Sequence, residues 1–258
     1  MGTKKFGARY VLALALLSNI GTICAEEIRA AVAANFTAAI KKLTPLYEQK
    51  SGNKLLASFG ATGQLYAQIS NGAPFDMLLS ADDSTPKKLI GEGKAVDGSY
   101  FVYARGRLAL WSGTPGYVDD QGAILKSDNF SKIAIANPKT APYGQAAIEA
   151  LSALKLLDQV QSKFVTGENI AQTQQFVSSG NVPLGFIALA QVKALPANER
   201  GSWWVVPAQL HQPIDQGAVL LKTPPLKSEH AVAAQTFLDF LKSPEAIAII
   251  RDLGYEVP

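Results

Sequence analysis

The chain has 258 residues, 48% of them hydrophobic and 17% charged, with a formal net charge of +3, one cysteine and two histidines. A lone cysteine excludes a disulfide framework and any structural zinc site built on thiolates. The absence of a basic block gives no reason to expect nucleic acid as a partner, and the length suffices to bury one large core or two modest ones.

In chain order, the first element reads as a processing segment. Lys4, Lys5 and Arg9 open the chain, Val11 to Ile23 is almost wholly apolar, and Ala25 is followed at once by Glu26 and Glu27. A basic start, an apolar run too short to span a bilayer and an abrupt acidic boundary describe a secretory signal peptide over residues 1–25. Cys24 is expected to leave with it, because Ile23 directly before it fits a lipoprotein signal poorly and argues against lipid anchoring. Losing three basic residues brings the 24 Lys and Arg down to 21, level with the 21 acidic residues. The mature chain is therefore expected in the periplasm, without cysteine and without net charge.

After Ala25 short strand-like and helix-like segments alternate. Ile28 to Ala33 is rich in small and β-branched residues, and Phe36, Ile40, Leu43 and Tyr47 then recur at helical spacing until Ser51-Gly52. Lys54 to Ser58 reads as a strand, Leu65 to Ser70 as a helix, Phe75 to Ser80 as a strand and Ser84 to Gly91 as a helix. Tyr100 to Trp111 is one extended run. A second series follows, with strands at Ile133 to Ala136, Lys163 to Thr166 and Leu184 to Ala188, and helices at Gln145 to Leu154 and Ile170 to Ser179. Trp203 to Pro207 and Ile214 to Leu221 are extended, and amphipathic helices close the chain through Phe237, Leu241 and Ala246 to Leu253.

Two successive βαβ series without a linker predict an α/β fold of two lobes, each a mostly parallel sheet flanked by helices, joined by two crossing strands. The extended runs near Tyr103–Leu108 and Pro213–Ala218 are the candidates for crossing. This divides the chain into lobe I, residues 26–105 and 217–258, and lobe II, residues 106–216. The C-terminal helices would return to lobe I, and the crossing strands would form a hinge.

Four strand-to-helix loops carry small or hydroxyl residues: Ala33 to Thr37, Ser58 to Gly63, Asn137 to Gly144 and Gly167 to Ala171. Asn35 is placed to cap the helix behind it. The first turns of helices carry unpaired N–H groups and a partial positive charge, and in open α/β sheets ligands gather at the carboxyl ends of strands. Such loops also serve ordinary turns and caps, so composition alone leaves an anion receptor and a small α/β enzyme both open. Gly60 and Gly63 are not a phosphate loop, since no Gly-Lys-Ser/Thr follows.

At these loops the sequence resembles the periplasmic molybdate-binding proteins of ATP-driven transporters. The likeness runs from Ile28 to Pro258 and is carried by Ala33-Ala34-Asn35-Phe36, Gly60-Ala61-Thr62-Gly63-Gln64-Leu65-Tyr66, Asn71-Gly72-Ala73-Pro74-Phe75-Asp76, Leu79-Ser80-Ala81-Asp82, Asn137-Pro138 with Ala141-Pro142-Tyr143-Gly144, and Leu184 to Ala190. The resemblance implies a type II binding protein that captures molybdate or tungstate with hydroxyls and main-chain N–H groups and passes it to a membrane permease. By position, Asn35 and Thr62 would donate from the first lobe beside the N–H of Ala34 or Ala61. Tyr143 and the N–H groups of Ala141 and Ile170 would donate from the second. Many members have Ser or Thr where Ala34 stands, and others a ligand-binding tyrosine within the segment matching Gly185 to Ala188. Ala188 has no donor side chain, so the phenolic contact is expected from Tyr143.

The expected ligand is thus an oxyanion held without a bare-ion site or cofactor, by a monomer with no nucleic-acid role. Sulfate is the close alternative, since it differs mainly in size. Glu168 is the one carboxylate in these loops that could accept a proton from phosphate, and it is expected to face solvent. An enzyme reading has less to stand on: His211 and His230 lack partner motifs, and adjacent Asp82 and Asp83 suit a helix start. The dispersed Tyr100, Tyr103, Tyr117 and Tyr143 argue against iron capture.

Overall fold

The computed structural model describes Gly2 and residues 25–127, 129–222 and 228–258, so the leader and Cys24 lie almost wholly outside the described residues. Strand β1 (Glu27–Ala33) runs through a 3-10 turn at Ala34–Phe36 into α1 (Thr37–Ser51), which stops where Gly52 adopts φ 75°, the left-handed conformation that glycine tolerates. Then come β2 (Lys54–Gly60), α2 (Thr62–Ser70), β3 (Met77–Leu79) and α3 (Ser84–Gly91). The extended run splits into β4 (Phe101–Gly106) and β5 (Leu108–Ser112), separated only by Arg107.

The second series comprises β6 (Ile133–Ala136), α4 (Pro142–Ala153), a short α5 (Leu157–Val160), β7 (Phe164–Gly167), α6 (Ile170–Ser178), β8 (Gly185–Ala188), α7 (Leu189–Ala194) and β9 (Ser202–Val205). The chain ends with β10 (Ile214–Leu220), α8 (Ser228–Phe240) and α9 (Pro244–Asp252). Helices α2 and α4 each start about three residues before the apolar periodicity reveals them. Thr62 and Pro142 occupy their first positions, and proline suits that site because its missing N–H has no partner to lose there. Helices α5 and α7 are too short to show a period in sequence.

Two five-stranded sheets result, ordered β2-β1-β3-β10-β4 and β7-β6-β8-β5-β9. In each, four of the five strands run the same way: β2-β1-β3 and β7-β6-β8 are parallel ladders, whereas β10 and β5 run antiparallel to both neighbours. The fourth strand of each sheet is the one that has just arrived from the other lobe, and arriving from that side it runs backwards. Ile214, Asp215 and Gln216, which sequence places in lobe II, pair with β4 in the first sheet together with Gly106. Ile214 nevertheless packs into the second core, as a residue at a crossing must.

Both faces of the first sheet are covered, so its strands alternate between two apolar layers instead of between core and water. Ala30, Val32, Met77 and Leu79 face α1, α8 and α9 through Phe36, Leu43, Phe237 and Ile250. Ala31, Leu78 and Val219 face α2 and α3 through Leu65, Ile69 and Leu89. The C-terminal helices thus belong to the first lobe. The second core is built on Trp111, Ile133, Ile135, Leu151, Phe186 and Trp204, and four alanines of the first lobe, Ala33, Ala34, Ala61 and Ala81, join it. That shared layer means the lobes are closed on each other.

Phe237 shows what holds α8 down. It is fully buried, with its ring edge-on to Tyr47 at 5.0 Å, and Tyr47 donates its hydroxyl hydrogen to Ala233 O at 2.9 Å. Phe237→Ala is expected to lower unfolding free energy by about 3–5 kcal/mol in a urea titration followed by far-UV circular dichroism. Val232→Ala, on the exposed side of the same helix at 67% exposure, should change it by less than about 0.5 kcal/mol.

Candidate functional site

The loops at the carboxyl ends of β1, β2, β3, β6 and β7 meet between the lobes around a small cavity of about 10 Å³. All seven residues singled out from sequence line it: Ala34, Asn35, Ala61 and Thr62 from one side, Ala141, Tyr143 and Ile170 from the other. Ala33, Gly60, Ala81 and Pro142 complete the wall. Three helix N-termini converge there, those of α2, α4 and α6, together with the 3-10 turn after β1.

An account of donors shows what each terminus has left. In α6 the Asn169 side chain accepts from the N–H groups of Ala171 and Gln172, and Asn169 O accepts from Thr173, which leaves the N–H of Ile170. In α2 the N–H of Gly63 crosses the interface to Thr140 O at 2.9 Å, a direct bond between lobes, and Thr62 N–H remains. In α4 the N–H of Ala141, expected as a donor, is engaged by Asn137 O at 2.8 Å. Pro142 has no N–H, so Tyr143 supplies the free main-chain donor of that turn, and Ala141 contributes its methyl group.

The hydroxyls are prepared in the same way. Thr62 Oγ1 accepts from the N–H of Ala81 at 3.0 Å, and Ser80 Oγ, 3.4 Å away, has Asp82 Oδ1 at 3.2 Å to take its single hydrogen, so the Thr62 hydrogen can turn to the cavity. Tyr143 Oη accepts from Gln216 Nε2 at 3.1 Å and likewise keeps its hydrogen. Asn35 departs from expectation twice. It makes no side-chain cap, because the chain enters α1 through the 3-10 turn. Its amide hydrogens go to Gln216 Oε1 at 2.9 Å and Tyr255 Oη at 3.2 Å, so Asn35 faces the cavity as part of a buried network.

That network was not visible in the sequence. Tyr255 donates to Asn35 O at 2.8 Å, and Tyr103 shares its hydrogen between Ser80 O at 2.9 Å and Gln216 Oε1 at 3.0 Å. The one available signal was Gln216 itself, a long polar side chain inside an otherwise apolar strand. Burial pushes the hydroxyls of Tyr103 and Tyr143 well above the ordinary phenol range, and neighbouring phenols raise them further; Tyr255 is raised too, by burial. All three remain neutral donors at physiological pH.

No carboxylate, amine, guanidinium or imidazole is among the residues lining the cavity. Glu168 is exposed and its N–H bonds to Gln172 Oε1. The charged groups nearby, Asp82, Asp83, Glu149, Asp215 and Lys139, line a wider outer cleft of about 320 Å³ that meets the cavity at Ala81, Ala141 and Pro142. Asp82, just before the Asp83 cap of α3, accepts from Thr85 N at 2.7 Å and Thr85 Oγ1 at 3.1 Å. His230 lies far along the chain against Glu26 at 2.8 Å, and half-buried His211 contacts Gln212 O through Nδ1.

Comparison with known proteins agrees with this architecture. A molybdate-binding protein of Azotobacter vinelandii is 51% identical over 231 residues, 90% of each chain. One from Rhodobacter capsulatus is 49% identical over 244 residues, 94% of each. The solved structure of the Azotobacter vinelandii periplasmic molybdate-binding protein superposes with a TM-score of 0.84 at 40% identity, over 90% of this chain and 99% of that one. The model of the bacterial extracellular solute-binding proteins matches residues 28–256, and the chain belongs to that family.

Proposed function

We propose that the protein captures molybdate, with tungstate as a second ligand, in the periplasm and delivers it to the membrane permease of an ABC transporter. The observation that carries this reading is a cavity between the lobes whose polar side chains and free main-chain N–H groups are all neutral. A fully ionised dianion suits such a lining. Protonated phosphate would need an acceptor for its hydrogen, and the lining carries no carboxylate. The names of the two half-identical relatives point to the same anion.

The donors left free are the N–H groups of Ile170, Tyr143 and Thr62, the first-turn N–H groups at Ala34 and Asn35, and the hydroxyls of Thr62 and Tyr143. Seven bonds to a charged acceptor at roughly 1.5 kcal/mol each give a gross gain of about 10 kcal/mol. Association and closure offset part of it, which leaves room for micromolar or tighter binding. Closure turns on the two crossings, at Arg107 and through residues 206–213, and removes the anion from water. The lining has no nucleophile paired with a base, so the site is built for capture and release rather than for turnover. Molybdenum is cargo here, one oxyanion per monomer, and no resident cofactor is required. No helix among the described residues is long and apolar enough to cross a membrane.

Calorimetric titration of the mature, anion-stripped protein should show tight one-to-one binding of molybdate and tungstate, with sulfate and phosphate far weaker. Preference for sulfate would keep the mechanism and overturn the ligand; no heat from any of the four would overturn the proposal. Thr62→Val removes one hydroxyl donor at nearly constant volume and should weaken molybdate binding about ten- to a hundredfold. Because only phenols raised by burial line or back the cavity, affinity should stay level between about pH 6 and pH 9. The same phenols bind their protons more tightly folded than unfolded. Their stabilising contribution is therefore complete below the ordinary phenol pKa of about 10 and is lost as pH rises beyond it, which alkaline melting curves would show.

A further inference from the structure

We propose that Gln216 is a positioning residue for anion capture: its side-chain amide occupies a lone pair of Tyr143 and thereby turns the phenolic hydrogen into the cavity. The inference rests on the oxyanion reading above and adds a residue that does not itself line the cavity. Gln216 is completely buried, and its amide is the junction of the network. Oε1 accepts from Asn35 Nδ2 and from Tyr103, and Nε2 donates to Tyr143 Oη. The orientation of the amide follows from its partners, because Asn35 Nδ2 brings hydrogens to one end and so the donor end must face Tyr143. A hydroxyl can rotate, and one that has accepted a bond along one lone pair cannot point its hydrogen back along the same line. With Gln216 on one side, the hydrogen of Tyr143 has no acceptor among the described residues, and the cavity is where an acceptor would sit.

Two backbone features serve this contact. The register between β10 and β4 shifts between Gln216 and Gly217, a bulge that re-aims the side chains around it. At Gly106, opposite on β4, a Cβ atom would lie 2.0 Å from Tyr143 Oη and 2.7 Å from Gln216 Nε2. The space in which the two groups meet therefore exists only because residue 106 has no side chain. Gly106 and Gln216 stand on the two strands that cross between the lobes, whereas Tyr143 belongs to α4 of the second lobe. The contact thus ties a ligand-facing hydroxyl of one lobe to the hinge of the other.

A buried glutamine could instead serve only to hold the strands together, and a double-mutant cycle separates the two roles. Molybdate affinity would be measured by calorimetry for the unsubstituted protein, Gln216→Met, Tyr143→Phe and the pair, with circular dichroism as the check on folding. Gln216→Met should weaken binding about tenfold, the worth of one oriented hydrogen bond, and should weaken it no further once Tyr143→Phe has removed the hydroxyl. Near-isosteric Gln216→Glu supplies a second measurement should the methionine variant not fold. The carboxylate that this change introduces would, once ionised, accept the phenolic hydrogen and repel the anion, so affinity should fall as pH rises through its titration and recover as pH falls. Unchanged affinity in Gln216→Met, losses that multiply in the pair, or a level pH profile for Gln216→Glu would overturn the inference alone. Failure of the unsubstituted protein to bind molybdate would overturn the function proposed above and this inference with it.

Discussion

An anion withdrawn from water must be met by donors, and a donor is useful only if its own acceptor sites are satisfied elsewhere. Much of the closed structure follows from that requirement. Asn169 takes two N–H groups of α6 and spares Ile170, the N–H of Ala81 occupies Thr62 Oγ1, and Gln216 occupies Tyr143 Oη. Each arrangement leaves one hydrogen directed inward. The sheets make this possible by bringing the carboxyl ends of five strands to one point, so that helix termini far apart in the chain share a single focus.

The walls are small for the same reason. Ala33, Ala34, Ala61, Ala81 and Ala141 surround the cavity, and larger side chains would hold the backbone N–H groups away from a ligand. Gly63 carries this furthest, since a Cβ there would stand 3.1 Å from Thr140 Cα across the interface. The layer between the lobes is therefore mostly methyl groups, with one main-chain hydrogen bond. Such a layer favours closure without making it permanent, which suits a carrier that must release what it binds. Neutral donors work in the same direction, because opening leaves no unpaired charge behind in the cavity.

The two lobes also show how one topology is used twice. In each, three parallel strands are extended by a strand that has crossed from the other lobe and runs against them. The crossing strands are thus integral members of both sheets and not tethers between them. The chain passes between the lobes only at Arg107 and through the segment between β9 and β10. Gly106 ends β4 opposite Ile214, and Gln216 follows two residues into β10, so both lie close to a crossing.

Much of this was legible in the sequence. Alternating short β-branched runs and 3.6-residue periods located nearly every strand and long helix, because burial on both faces of a sheet and one face of a helix writes itself into local composition. The small and hydroxyl residues after β1, β2, β6 and β7, with the resemblance they carry, brought forward seven of the eleven residues that line the cavity. What stayed hidden is pairwise. That Ala141 N–H turns to Asn137 O, that Asn35 bonds residues 181 and 220 positions away instead of capping α1, and that Gly106 makes room for Tyr143 are consequences of distance in space. Sequence determined which groups could donate and which segments would form the walls. Only the tertiary structure decided which donors remain free, because a hydrogen bond has a direction and a single partner, and neither is encoded until both ends have been placed.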